Sequence, residues 1–385
     1  MAGLYIHIPY CVKKCLYCDF VSYAMPGDIV SLIPYLCKEM QIRRDQFPAD
    51  QTVDSVFVGG GTPSLLDGEA MSCLLAAVRH NYEVSENAEI TVECNPGTLT
   101  QHKLEDYRRA GVNRLSIGLQ SADEMILKTL GRIHTYDDFC TSMRNAYQAG
   151  FENINVDVMH GLPGQTQQIY LNTLEKVTSF PGVKHISSYM LILGEDTPLY
   201  SLVSAGKVSL PSDDETADMD DAGIEFLQEN GYLRYEISNF SLDGYRCRHN
   251  VNYWQNGTYL GIGPAAHGAL RIEERLVRYE NMNEIKTYCK RILTKCLPES
   301  NRSVIPEKEE MFETVMLALR MTDGLDTVLF NKRFGIDFET FYRESIRNTI
   351  EKGWGNLSNN RFCLTKRGLD MQNSVLVSFM EEKPY

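Results

Sequence analysis

Three cysteines stand within eight positions near the start of the sequence. The segment HIPYCVKKCLYCDF places Cys11, Cys15 and Cys18 in a C-x-x-x-C-x-x-C array, directly after a short apolar run that reads as a strand. Thiolates at these spacings on one loop can reach three corners of a cubane iron-sulfur cluster, leaving the fourth iron open to a substrate. A structural zinc site is the rival chemistry. It needs four ligands, and no further Cys or His stands at the usual short spacing. The chain has eleven cysteines, and those from Cys37 to Cys363 are scattered among apolar neighbours, as small buried hydrophobes are. Residues 1–10 lack the basic and then apolar pattern of a secretion leader, so reduced thiols and a cytosolic location are expected.

A second conspicuous feature is the run Gly59, Gly60 and Gly61, followed by Thr62 and Pro63. Glycines let backbone approach a ligand closely, and free amide N–H groups at such a turn can receive a carboxylate. Alone, a triple glycine is more often a tight turn than a cofactor cradle; here it follows the second strand, on the same edge as the cysteines. Polar residues recur at the ends of later apolar runs: Glu93, Gln120 and Asp157. Glu93 and Asp157 are acceptors for ammonium or hydroxyl groups, and Arg132 can pair a carboxylate bidentately.

These residues need elements to hold them. Short runs rich in Val, Ile, Leu or Tyr at 4–8, 55–58, 89–93, 114–119, 153–158 and 185–190 read as strands. Helical patterns fill 29–44, 69–82, 101–110, 136–149 and 166–180, with Gly111 and Gly150 directly after two of them. Strands alternating with helices imply parallel strands joined by right-handed crossovers. Six such units make most of a (β/α) barrel, with an open doubly wound sheet as the alternative; both gather ligands at the carboxyl ends of their strands. The cysteines, Gly59 to Thr62, Glu93, Gln120 and Asp157 all fall there.

The organisation expected is an α/β core over 1–205, an extension over 206–305, and a helix-rich C-terminal unit over 306–385. The acidic run 213–221 reads as a solvated helix N-terminus, where negative charge is favourable. With 385 residues, 43% hydrophobic and 23% charged, the chain has ordinary globular composition, and its formal net charge of -13 argues against a nucleic-acid partner. The apolar stretches are too short to span a bilayer, so no integral membrane segment is expected.

At this point the chain resembles the radical-SAM superfamily, whose members use that cysteine triad to hold a 4Fe-4S cluster. In the family, the amino and carboxylate groups of S-adenosylmethionine chelate the open iron, and one electron cleaves the sulfonium to a 5'-deoxyadenosyl radical. The fold the resemblance implies is a partial (β/α)6 radical-SAM barrel. The likeness narrows to the coproporphyrinogen oxidase-like HemN/HemW branch through LYIHIPYCVKKCLYCDF, VFVGGGTPSLL, VECNPGTL, GVNRLSIGLQS, LGRIH, NVDVMHGLPGQT, HNVNYW, YLGIGPAAHG, MLALRMTDGLD and LTKRGLDMQNSVL, collinear over nearly the whole chain. Carried over by position, it implies that Tyr5, Gly60 and Glu93 contact the cluster-bound S-adenosylmethionine. Tyr17, Gly61, Thr62, Gln120, Arg132 and Asp157 correspond to positions around a second such molecule.

Within the branch, three features separate oxidase from haem chaperone. The oxidase array continues to a fourth cysteine, where this chain has Phe20. The oxidases also carry a long stretch ahead of the cluster, whereas Cys11 comes almost at once here. The third feature, His249-Asn250-Val251-Asn252-Tyr253-Trp254, matches the H-N-x-x-Y-W signature of the chaperones. The resemblance therefore implies a haem chaperone that binds haem, the cluster and S-adenosylmethionine, and passes haem to acceptor proteins. Oxygen-independent coproporphyrinogen III oxidase is the alternative, and a radical-SAM methylase or cyclopropane-forming enzyme the third reading. Imidazole ligates haem iron, and Tyr253 and Trp254 can stack on the macrocycle, so His249 is a candidate ligand, with Cys247 and His267 as rivals. Arg246 and Arg248 could receive the propionates. A hydrogen-bonded packing role for the same motif stands beside this reading. A homodimer is implied by the resemblance alone.

Overall fold

The structure is a computed structural model that describes residues 2–24, 29–47 and 51–381. Six parallel strands, β1 (Ala2–Ile8), β2 (Val53–Gly60), β3 (Val84–Cys94), β4 (Arg114–Gln120), β5 (Ile154–His160) and β6 (Val183–Met190), lie side by side in chain order. A doubly wound sheet would start in the middle and reverse direction. An order without reversal is the partial barrel, and the open-sheet alternative falls away.

Over most of their length the strands are buried on both faces, for two different reasons. On β4, Leu115, Ile117 and Leu119 lie under the surrounding helices at 0% exposure, while Arg114, Ser116, Gly118 and Gln120 alternate with them and face the lumen. On β2, Val56 and Val58 point outward, and Ser55, Phe57 and Gly59 inward. The lumen of this barrel is polar.

The helices that follow the strands are α1 (Ile33–Arg43), α2 (Gly68–Asn81), α3 (Gln101–Ala110), α4 (Glu124–Thr129), α5 (Tyr136–Gln148) and α6 (Gln167–Thr178). Side chains fix where most of them begin. Asp67, Thr100, Asp123, Thr135 and Thr166 each accept a backbone N–H of the first turn, and Thr135 forms a reciprocal capping box with Asp138. Gly111, at φ 101°, closes α3 in a left-handed cap. Pro34 enters α1 at its first turn, and residues 29–32, expected as part of that helix, form a tighter 3-10 turn instead.

Further along come α7 (Pro198–Ser204), α8 (Asp213–Glu229), β7 (Leu233–Arg234), β8 (Asn239–Ser241), α9 (Arg248–Trp254), β9 (Thr258–Ile262), β10 (His267–Ile272), β11 (Arg275–Asn281), α10 (Ile285–Leu293) and β12 (Glu299–Val304). These strands extend both edges of the barrel sheet: β8 pairs antiparallel with β6, while β9 runs parallel beside β1. Residues 206–305 therefore share the barrel's sheet and hydrophobic core. The acidic run opens α8, where Ser212 and Glu215 form a capping box.

The C-terminal unit has its own core of Met311, Val315, Phe330, Phe338, Tyr342, Phe362 and Phe379. Its helices are α11 (Glu307–Ala318), α12 (Thr327–Phe334), α13 (Phe338–Phe341), α14 (Arg343–Glu351), α15 (Lys366–Asp370) and α16 (Gln372–Glu381). The expected helix-rich unit also holds a small sheet: β13 (Leu325–Asp326), β14 (Gly355–Ser358) and β15 (Arg361–Leu364). Asn359 and Asn360, at φ 51° and 60°, make the two-residue turn between β14 and β15, the conformation that twists correctly into a hairpin. No helix among the described residues is long and apolar enough to cross a membrane.

Candidate functional site

The residues singled out by spacing converge at the carboxyl edge of the barrel. One cavity of about 160 Å³ is lined by Cys11, Cys15, Cys18, Tyr17, Gly60, Gly61, Thr62, Glu93, Gln120, Arg132 and Asp157. Among the described residues no three Cys, His, Asp or Glu side chains converge tightly enough to hold a single metal ion. A cubane asks for less convergence, because each thiolate takes a different iron corner. The donor set fits such a cluster: soft sulfurs on one loop, facing a cavity that polar groups surround.

The cysteine loop is held at its middle by distant parts of the chain. Leu16 donates its N–H to Leu130 O (3.0 Å) and accepts from Leu199 N (2.9 Å). Leu16 and Tyr17 also pack against an apolar cluster of Ile126, Leu130, Met159, Leu162 and Leu199. The thiols on either side stay half-buried, and burial pushes Cys18 up, offset in part by the Phe20 backbone and Lys14.

The triple glycine works differently from the expectation. Gly60 N–H donates to Glu93 Oε2 (2.9 Å), Gly61 N–H to Ile8 O (2.8 Å) and Thr62 N–H to Tyr10 O (2.7 Å). These amides are already engaged, so the glycines are there for close approach. A Cβ at Gly61 would lie 2.5 Å from Tyr10 O, and one at Gly60, whose φ is 118°, 2.7 Å from the His7 ring. The loop is thereby pressed onto the first strand and the cysteine loop.

Glu93 and Asp157 face the cavity as acids in low dielectric. Burial raises the Glu93 carboxyl to about 8, with the Gly60 N–H opposing and Asp157 adding to the shift. Burial likewise raises Asp157, which Asn155 Nδ2 (2.7 Å) holds in place. Arg132 donates to Gly118 O (2.5 Å), Asn95 Oδ1 (2.9 Å) and Cys15 Sγ (3.5 Å), while its Nε is buried without a partner. Gln120 enters through a left-handed backbone at φ 69°, where β4 slips register against β5. A side chain in that conformation costs on the order of 1 kcal/mol and persists only where its surroundings impose it. Tyr5 does not line the cavity. It sits within the barrel with its OH on His7 Nδ1 (2.9 Å) and is raised by burial, then by Glu93.

Sequence reasoning missed Asn95, whose Nδ2 donates to Thr62 Oγ1 (2.9 Å) and whose Oδ1 receives Arg132. It also missed Ser116 and Gly118. The signal for these two was available: they stand two and four positions before Gln120, on the same face of one strand.

The haem candidates lie elsewhere, and they do not come together. His249 and Cys247, 1% and 0% exposed, close the opposite end of the barrel. His249 Nδ1 meets Ser55 Oγ and Nε2 meets Tyr253 OH, both at 2.9 Å, and its ring stacks on Phe57 at 5.2 Å. Burial, then Arg114, lowers this imidazole to about 3. Cys247 Sγ contacts Glu89 Oε1 at 3.5 Å. His267 is exposed at the start of β10. Arg248 reaches Asn87 O, and Arg246 pairs with Asp323. Trp254 points away from the floor, toward the C-terminal unit.

Above the floor runs a connected polar lumen. His185 bridges Asn155 Oδ1 (2.6 Å) and Tyr235 OH (2.8 Å), and Asn155 reaches up to Ser116 and Asp157.

Comparison with known proteins agrees with this geometry. The family model for the Radical SAM superfamily matches residues 5–177, and that for the HemN C-terminal domain matches residues 305–371. A relative from Escherichia coli strain K12, named heme chaperone HemW, is 36% identical over 384 residues, covering 99% of this chain and 98% of its own. One of the same name from Lactococcus lactis is 34% identical over 377 residues, covering 98% and 96%. Among solved structures, the coproporphyrinogen III oxidase HemN of Escherichia coli, a radical SAM enzyme, superposes with a TM-score of 0.83 at 21% identity, over 98% of this chain and 89% of that one. That last likeness is one of fold. Similarity at this level over the full length of the relatives places the chain in the HemW family, on a radical-SAM fold.

Proposed function

We propose that the protein is a cytosolic haem chaperone that binds a 4Fe-4S cluster, S-adenosylmethionine and haem, and delivers haem to acceptor proteins. The observation that carries the cofactor half is the single cavity holding all three thiols with Glu93, Arg132 and Asp157. The haem half is supported by full-length similarity to relatives named heme chaperone HemW. Cys11, Cys15 and Cys18 would hold the cluster, which supplies an open iron to be chelated by an amino acid. Around it, the chain's own groups bind and orient. Glu93, poised near neutrality, ionises beside an ammonium group. Arg132 offers a donor to a carboxylate, and Thr62 and Gln120 border the same space. Phe20, where the oxidase array has its fourth thiol, is 67% exposed at the rim of this cavity.

The test is anaerobic reconstitution followed by haemin titration, read through the Soret band. Stoichiometric binding without conversion of coproporphyrinogen is expected. Consumption of S-adenosylmethionine with coproporphyrinogen, and no specific haem binding, would make the protein an oxidase.

A further inference from the structure

A second cavity, of about 340 Å³, opens where α9 meets α11 and α12 of the C-terminal unit. The HNVNYW helix divides its residues between two surroundings. His249 and Tyr253, four apart on one face, close the barrel floor, while Val251, Trp254 and Gln255 line this cavity. The opposite wall is Met321, Leu325, Leu329 and Phe330. Leu329 is 63% exposed, an open apolar surface at the mouth.

Cations border the same space. Arg246 pairs with Asp323, each 45% exposed, and Arg361 with Asp326 at 3.3 Å, at 44% and 26%. Arg333 is fixed by Glu310 and donates to Asn256 O (3.1 Å). Ion pairs this exposed contribute little, so an incoming carboxylate can replace Asp323 or Asp326 at small cost and pair bidentately with the guanidinium. The volume falls in the range of small-molecule sites.

We infer that this cavity is where haem docks: an apolar ring edge against Trp254, Leu329 and Phe330, with its carboxylates on Arg246 and Arg361. The inference rests on the chaperone reading and adds the location. Met321 supplies the lone sulfur among the lining residues, and none of them is His or Cys. Ring burial and carboxylate pairing then dominate over iron ligation, and an edge-on ring stays accessible for hand-over.

The chain has two tryptophans, so Trp354→Phe leaves Trp254 as the only one. In the full-length reconstituted protein carrying that change, haemin should quench the Trp254 fluorescence in step with the Soret change. Leu329→Glu, at an exposed position, should weaken haemin binding by about ten-fold or more, as should Arg246→Gln combined with Arg361→Gln. His249→Ala should bind within about two-fold of wild type, and iron-free protoporphyrin IX should bind within about three-fold of haemin. If wild type binds haemin but Trp254 is unquenched, or the Leu329 and arginine variants bind like wild type, the location is wrong and the chaperone reading stands. If wild type binds no haemin specifically, the chaperone reading itself fails.

Discussion

The two ends of the barrel hold the same kinds of residue and do opposite things with them. The carboxyl edge has three cysteines, two acids and an arginine around a cavity, many of them half-buried, with the Arg132 Nε unpartnered. The floor and the lumen just above it have a cysteine, two histidines, a glutamate and tyrosines, and nearly every polar atom there is spent on a neighbour: His249 on Ser55 and Tyr253, Cys247 on Glu89, His185 on Asn155 and Tyr235. Ligating atoms alone do not make a site. What separates the two regions is spare bonding capacity next to open volume, and a satisfied polar network stiffens a fold where a half-satisfied one waits for a ligand.

The sharpest way to break this contrast is at the cysteines. Cys15→Ala should abolish retention of cluster iron after anaerobic reconstitution, while the stability of the apoprotein to urea changes by no more than about 0.5 kcal/mol. A large loss of apoprotein stability would mean that the rim is structural after all. The floor should behave in the reverse sense. His249→Ala removes a stacked ring and two buried hydrogen bonds, so unfolding should become easier by about 2–4 kcal/mol, with cluster iron retained under native conditions. Loss of iron at unchanged stability would move the floor into the site.

Gly61→Ala tests the loop that is pressed onto the end of β1 and the cysteine loop. Its Cβ would meet Tyr10 backbone, so a cost of about 1–3 kcal/mol is expected, together with lower cluster occupancy, measured by iron content and thermal melting. A further test of the floor is one of pH. His249 is held neutral, near 3 in the folded state against about 6.5 when unfolded. Its contribution is complete above pH 6.5 and is lost as the pH falls toward 3, at up to about 1.4 kcal/mol per pH unit. Urea titrations from pH 7 to 4 should show a shallower loss of stability in His249→Gln than in wild type; an identical slope would mean that the ring is not held neutral.

Much of this was legible in the sequence, for physical reasons. Parallel strands buried on both faces appear as short apolar runs, and the residues at their carboxyl ends have only one edge on which to gather. Cys11 to Cys18, Glu93, Gln120 and Asp157 could therefore be placed together before any coordinates. Other features depend on facts that residue types do not carry. Nothing in HNVNYW says which residues of one helix meet the barrel and which meet the C-terminal unit. The engagement of the Gly60 and Gly61 amides depends on contacts with Glu93 and β1. The hairpin of the C-terminal unit was missed because its strands are short, although the Asn359-Asn360 pair was a turn signal in plain view. Asn95 acts by bridging Thr62 to Arg132, a role seen only when two loops meet.

The position of β1 sets a schedule for the chain as it is made. The first strand is an interior one: it pairs with β2 on one side, but its other neighbour, β9, begins at Thr258. At synthesis rates of about 5–20 residues per second, Ala2 waits roughly 13–50 s for that partner. The cysteine loop, tied through Leu16 to Leu130 and Leu199, waits a shorter time for its anchors. During that interval the ribosome-bound chain carries an open strand edge, and until Leu199 has been made the cysteine loop lacks one of its two anchors.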